Sequence, residues 1–237
     1  MNHDIQTTRS GCKDIWNAFM FKDIFFTDYD IPYCPTTTDQ IPKDIITYSE
    51  AKEIYSKELK AGNISFHRDV FVCWYEDDYK FDGSRGIWQK PYNAEKILNH
   101  FEGIITPDWS TYQDFAFPLK IYNIYRSRAF GYWYGKLRGK KVINNVRWGT
   151  EETYSYCFNG LPLNSIYCIG CVASNLKNRK YRQIFINGLL EMIERLHPKV
   201  IITYGSINDY IRKIINDSGI ILIEIKSRTA KYFEGRR

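Results

Sequence analysis

The sequence has no apolar run near the roughly 18 to 20 residues that a helix needs to cross a bilayer. Its first residues, 1–11, are polar where a signal peptide carries an apolar segment. The expectation is a soluble, cytoplasmic protein with no membrane partner. Its six cysteines (Cys12, Cys34, Cys73, Cys157, Cys168, Cys171) are too sparse for a disulfide framework in a chain of 237 residues, so reduced thiols are expected. The four histidines (His3, His67, His100, His197) fall at the edges of elements and supply no Ser-His-Asp or Cys-His arrangement. Walker-type and dinucleotide glycine motifs are missing, which excludes classical NTPase and Rossmann cofactor chemistry. Cys168 and Cys171 form a lone Cys-x-x-Cys without the second pair or the histidines of a zinc site, and core thiols are the expectation there. No internal repeat or low-complexity tract occurs. Neither a metal nor a cofactor is expected.

What is present is apolar and aromatic material rich enough to exclude disorder, in a chain long enough to bury one sizeable core. One domain over 1–237 is expected, with a less regular segment at 1–65. From about residue 66, short apolar runs at 70–74, 103–106, 142–146, 166–169, 200–204 and 220–225 read as strands buried on both faces. A further strand is expected at 44–48. Helical periodicity fills the spaces between them, at 49–59, 111–138, 181–196 and 207–215. Ser206 reads as an N-cap and Gly219 as a stop. This alternation predicts an α/β fold of about seven β/α units with parallel strands. It would be a complete or partial TIM-like barrel, or alternatively an open doubly wound sheet.

In either architecture, sites form where the loops after the strands converge. Those strand ends carry Glu76 and Asp77, then Asp108 with Trp109 and Ser110, then Arg147 with Trp148, and later Ser174 and Tyr204. Asp108 is the candidate catalytic group, a general base or nucleophile; the other reading is that Asp108 or Ser110 caps the next helix. Arg147 and Trp148 suit a phosphate and a base, or else a salt bridge to a rim acid. Arg126 falls on the expected inner stripe of its helix, with Leu119, Tyr122, Ala129, Phe130, Trp133 and Leu137, where its charge requires a partner. Glu76, Asp77 and Asp78 could bind a divalent cation, though a run of three acids is more often a solvated loop. Glu76 and Asp77 are also candidates to face a substrate. The formal net charge is +6, and cations cluster at 136–141, 177–182 and 226–237. Such clusters fit a nucleic-acid or nucleotide partner, or solvated helix ends.

The stretches Trp74-Tyr-Glu-Asp-Asp-Tyr79, Pro107-Asp-Trp-Ser110, Ile121-Tyr-Asn-Ile-Tyr-Arg-Ser-Arg128, Val142-Ile-Asn-Asn-Val-Arg-Trp-Gly149 and Ile201-Ile-Thr-Tyr-Gly205 together resemble a family of phage and mobile-element proteins, domain of unknown function 4417. Ile31-Pro-Tyr-Cys-Pro35 extends the resemblance toward the start of the chain. It implies a phage or mobile-element origin and supplies no reaction. The layout of an early strand-end acid with later basic and aromatic residues is loosely similar to barrel enzymes that exchange or remove nucleobases. Two functions are therefore expected as alternatives. One is an enzyme acting on nucleic acid or nucleotides at an N-glycosidic bond; the other is a non-catalytic accessory protein that binds nucleic acid, a nucleotide signal or a host protein.

Overall fold

The computed structural model describes residue 11 and residues 13–235. Of the residues singled out above, His3, Cys12, Arg236 and Arg237 lie outside that set. Seven strands, β1 (Ile45–Thr47), β2 (Arg68–Cys73), β3 (Phe101–Ile105), β4 (Val142–Asn145), β5 (Ile166–Gly170), β6 (Val200–Tyr204) and β7 (Ile221–Ile225), form one sheet in strict sequence order. Every neighbouring pair is parallel. A doubly wound sheet reverses its strand order at a switch point. The sequential order excludes that alternative and identifies a curled half-barrel, open between β1 and β7.

Side chains alternate along each strand, as the pleat requires. Ile45, Phe71, Cys73, Ile105, Ile143, Cys168, Ile202 and Tyr204 point inward into one cluster. Val72, Ile104 and Val142 point outward under the first half of the sheet, and Tyr167, Ile169 and Ile201 under the second. Both faces of the central strands are thus dry, which explains their unbroken apolar runs. The edge strand β7 is wetter, and Ile221 is exposed.

Helices α1 (Tyr48–Lys60), α2 (Pro91–Leu98), α3 (Phe117–Tyr132), α4 (Tyr154–Cys157), α5 (Arg179–Leu196), α6 (Asp209–Asp217) and α7 (Arg228–Glu234) cover the sheet and its ends. Thr47 and Glu50 close a capping box at the start of α1. The sequence expectation for 111–138 is corrected at both ends. Residues 111–116 stay outside the helix, Pro118 lies in the first turn of α3, and the last stretch, Trp133–Leu137, widens into a π-type turn. Helix α2 escapes a periodicity reading because it offers only two turns after its leading proline. In α6 the cap is Asn208, whose side chain accepts from Ile211 N at 2.9 Å, and not Ser206. Gly219 sits just past the helix at φ +72°, a left-handed stop that glycine adopts without strain.

The cap assignment gives a direct test. Asn208→Ala should lower the unfolding free energy by about 1 kcal/mol, while Ser206→Ala should change it by only a few tenths. Urea denaturation of the two variants reads the difference, and equal effects would reject the Asn208 cap.

Candidate functional site

The buried side of α3 is unusually polar. Leu119 and Tyr122, expected inward, are exposed, and the helix instead turns Lys120, Asn123, Ser127 and Arg128 into the protein. Each has a specific partner. Lys120 Nζ donates to Gln113 O at 2.7 Å, Asn123 donates to Ser110 O, and Ser127 Oγ donates to Pro107 O at 2.6 Å. Together they clamp the loop that follows β3. Arg128 reaches the other way: Nε, Nη1 and Nη2 donate to the carbonyls of Asn159, Asn145 and Cys157 at 3.1–3.2 Å. Three carbonyls surround a cation that is almost wholly removed from water.

Asp108 sits at the end of β3 within the clamped loop. One carboxylate oxygen accepts from Asn145 Nδ2 at 2.8 Å and the other from Arg147 Nη1. The acid is buried while its arginine is partly exposed, with side chains 9% and 30% accessible. Burial pushes the Asp108 pKa up from its ordinary 3.8; Arg147 and Asn145 oppose that rise, and Asp78 adds to it. Asn145 extends the network inward by accepting from the Tyr75 hydroxyl at 3.0 Å. Tyr75 stacks on Tyr204 across the mouth of the half-barrel, with ring centroids 5.3 Å apart. Gly170 leaves room for it, since a Cβ at that position would come within 2.5 Å of the Tyr75 ring. Among Asp108, Trp109, Ser127, Arg128, Asn145 and Arg147 there is no space for a water molecule.

Arg126 belongs to a second, adjoining unit. Its guanidinium lies over the rings of Trp109 and Tyr122, at 4.4 and 4.9 Å, donating to Asp82 at 2.7 Å and to Asn123 Oδ1 at 2.6 Å. Phe81 and Trp88 pack against the same indole. Two buried donors in this unit, Trp109 Nε1 and Arg126 Nε, have no acceptor among the described residues. Each would gain from an acceptor, because a buried unmatched donor costs about 1–3 kcal/mol.

The remaining candidates are spread along the rim. Trp148 donates from Nε1 to Phe185 O at 3.2 Å and is seated on Gly188 of α5, where a Cβ would lie 2.0 Å from the indole. Glu76 accepts from Ser49 N at the start of α1 at 2.9 Å, and Asp77 pairs with Lys80 near the surface. Ser174 Oγ donates to Gly170 O at 3.1 Å, and the Tyr204 hydroxyl accepts from Arg228 N at 2.9 Å. The structure therefore brings Asp108 and Arg147 together, and Arg126 with Trp109, but holds Glu76, Asp77 and Trp148 apart from them. The capping reading of the β3 loop is corrected: α3 begins at Phe117, and Ser110 instead donates its amide and hydroxyl to Asp78.

Sequence reasoning missed Asn145, Tyr75, Asp82 and Arg128. Asn145 carried a readable signal, as the second asparagine inside an otherwise apolar strand, where a polar side chain requires a partner. The pairing of Arg126 with Asp82 spans 44 residues and leaves no local trace.

Comparison with known proteins adds a lineage. The family described as Domain of unknown function (DUF4417) matches residues 25–225, a span that runs to the last residue of β7. The Gene 1 protein of Mycobacterium phage L5 is 30% identical over 156 residues, covering 63% of this chain and 66% of that protein. The Gene 1 protein of Mycobacterium phage D29 is 27% identical over 182 residues, covering 75% of this chain and 60% of that protein. The chain thus spans just under two thirds of the length of these relatives. No solved structure matches significantly.

Two outcomes follow for stability. Arg128→Met should lower the unfolding free energy by about 3 kcal/mol, since three carbonyls lose a charged donor. Arg128→Lys should restore less than half, because one ammonium cannot span the three; full recovery in urea unfolding would reject the clamp. An acid whose folded pKa is raised binds its proton more tightly when folded, so its contribution is most favourable at low pH. That contribution is lost as pH rises from about 4, the unfolded value, through the raised folded one. The stability of the wild type relative to Asp108→Asn should therefore fall over that rise, and a flat difference would contradict the burial of an ionised Asp108.

Proposed function

The chain belongs to the phage family described as Domain of unknown function (DUF4417), and from that premise we propose that it acts on nucleic acid or nucleotides, by chemistry at an N-glycosidic bond on the C-terminal rim of the half-barrel. The observation that carries this reading is Asp108, a carboxylate buried at a strand end and oriented by an amide and a partly exposed guanidinium. A group so placed can attack an anomeric carbon or take a proton from water as the base leaves with the bonding electron pair. Arg147 is the more accessible member of its pair, so an incoming phosphate competes for the guanidinium and uncovers the acid. Arg126, Trp109 and Trp148 support the loops from behind in this reading, because their faces are already taken by protein.

A second reading, a non-catalytic phage protein that binds nucleic acid, a nucleotide signal or a host protein, is favoured by one observation: both oxygens of Asp108 are engaged and the surrounding space is closed. One experiment separates the two. Purified protein is incubated with DNA, RNA, nucleosides and nucleotides, and free base is measured by chromatography. Base release that falls by about 100-fold or more in Asp108→Asn supports the enzyme. Undiminished release in that variant removes Asp108 from the chemistry, and binding without release favours the second reading.

A further inference from the structure

Three cationic clusters are visible in the sequence, and the structure treats them differently. In the first, Arg138 pairs with Glu95 and Lys141 with Glu102. In the C-terminal tail, Lys226 pairs with Glu234, Arg228 lies beside Glu50 and Glu53, and Lys231 pairs with Asp44. Two of the four cations of the first cluster, and the three described cations of the tail, are thus neutralised within the fold. The third cluster, Lys177, Arg179, Lys180 and Arg182, is not. Among the described residues no carboxylate pairs with any of the four, and the sequence holds no acidic residue from 153 to 190.

Two further facts set this cluster apart. It occupies the loop after β5 and the first turn of α5, so it lies on the same rim as Asp108 and Arg147. Trp148, seated on Gly188 and Phe185, ties the Arg147 loop to α5 about one turn beyond Arg182. Secondly, the first turn of α5 contains no acid, whereas α1 and α6 begin with Glu50 and Asp209. Cations there face the positive end of the helix macrodipole, an arrangement that disfavours the free protein. Tyr181, 46% exposed, stands between Lys180 and Arg182 and offers a ring to an unstacked base.

We infer that the start of α5 binds the phosphodiester backbone of a single-stranded nucleic acid, an inference that rests on the proposed action on nucleic acid and names its partner. Four cations without a carboxylate partner among the described residues, three of them in the first turn of a helix whose dipole they oppose, gain from phosphates what those residues do not supply. Single-strand binding of this kind couples a cationic track to a stacking ring.

The test is fluorescence anisotropy of a short labelled single-stranded DNA and the corresponding RNA, titrated over a range of salt. The variant Lys177→Ala/Arg179→Ala/Lys180→Ala/Arg182→Ala should bind more weakly, with a log-log salt slope shallower by roughly 3, about 0.7 for each phosphate no longer neutralised. Its melting temperature should not fall, since the change relieves the dipole conflict, and this separates weakened binding from a damaged fold. Lys136→Ala/Lys140→Ala should leave affinity unchanged. No wild-type binding at low salt, an unchanged slope in the fourfold variant, equal loss in the control variant, or tighter binding to duplex than to single strand would each overturn the inference. Asp108→Asn tests the other reading separately. Retained DNA binding with abolished base release supports both proposals. Base release that persists in the fourfold variant with unchanged DNA binding overturns only the α5 surface.

Discussion

The guanidinium of Arg128 is the constraint on which the rim depends. A cation moved out of water at this depth survives only where acceptors replace its hydration, and here the backbone does so. The carbonyls of Asn145, Cys157 and Asn159 come from the end of β4, the end of α4 and the loop beyond it, so one α3 side chain holds three segments at fixed separation. Asn145 is the hinge of this arrangement. Its carbonyl is tied to Arg128 while its side chain orients Asp108 and accepts from Tyr75. The position of the candidate acid is therefore set from beneath by a residue that never reaches the surface.

From Arg128 outward, the rim forms one connected path, from Asn145 to Asp108 and Arg147 on one side and through Tyr75 to Tyr204 on the other. Such a path is sensitive to the loss of any single member, because each group is left buried without its partner when its neighbour is removed. Clearance matters equally: Gly170 gives Tyr75 its place across the barrel mouth, and Gly188 gives Trp148 its seat on α5. Both glycines act through the Cβ they lack rather than through backbone freedom.

Much of the architecture was legible in the sequence because its physical cause is local. Strands buried on both faces must be apolar throughout, and the runs at 70–74, 142–146 and 200–204 lie close to β2, β4 and β6. The register of α3 was legible only in part, because an apolar stripe marks the core only where the core is apolar. Arg126, Ala129, Phe130 and Trp133 are buried as the stripe predicts, whereas Leu119 and Tyr122 face outward and Asn123, Ser127 and Arg128 turn inward. Arg126 was recognisable as a charge in need of a partner, yet Asp82 could be identified only once the chain was folded. Asp108 was more legible: its strand-end position and its salt bridge with Arg147 were both readable, because the two residues follow neighbouring strands β3 and β4.

An incomplete barrel has two strand edges to protect, and this requirement explains where the charges of the tail are used. β1 is only three residues long, and β7 carries Glu224, which binds Arg212 of α6. Between the two edges, Lys231 donates to both the Asp44 carboxylate and the Ile45 carbonyl, and Arg228 lies against Glu50 and Glu53 of α1. Exposed pairs of this kind contribute little individually, about 0–1 kcal/mol, but they cover backbone groups that a neighbouring chain could otherwise pair with. The cations Arg228 and Lys231 are thereby committed to closure of the fold. Those at the start of α5 lie away from either edge and satisfy no such requirement. On the face where the strand-end loops converge, the anionic ligand proposed above would supply the partner that these cations lack among the described residues.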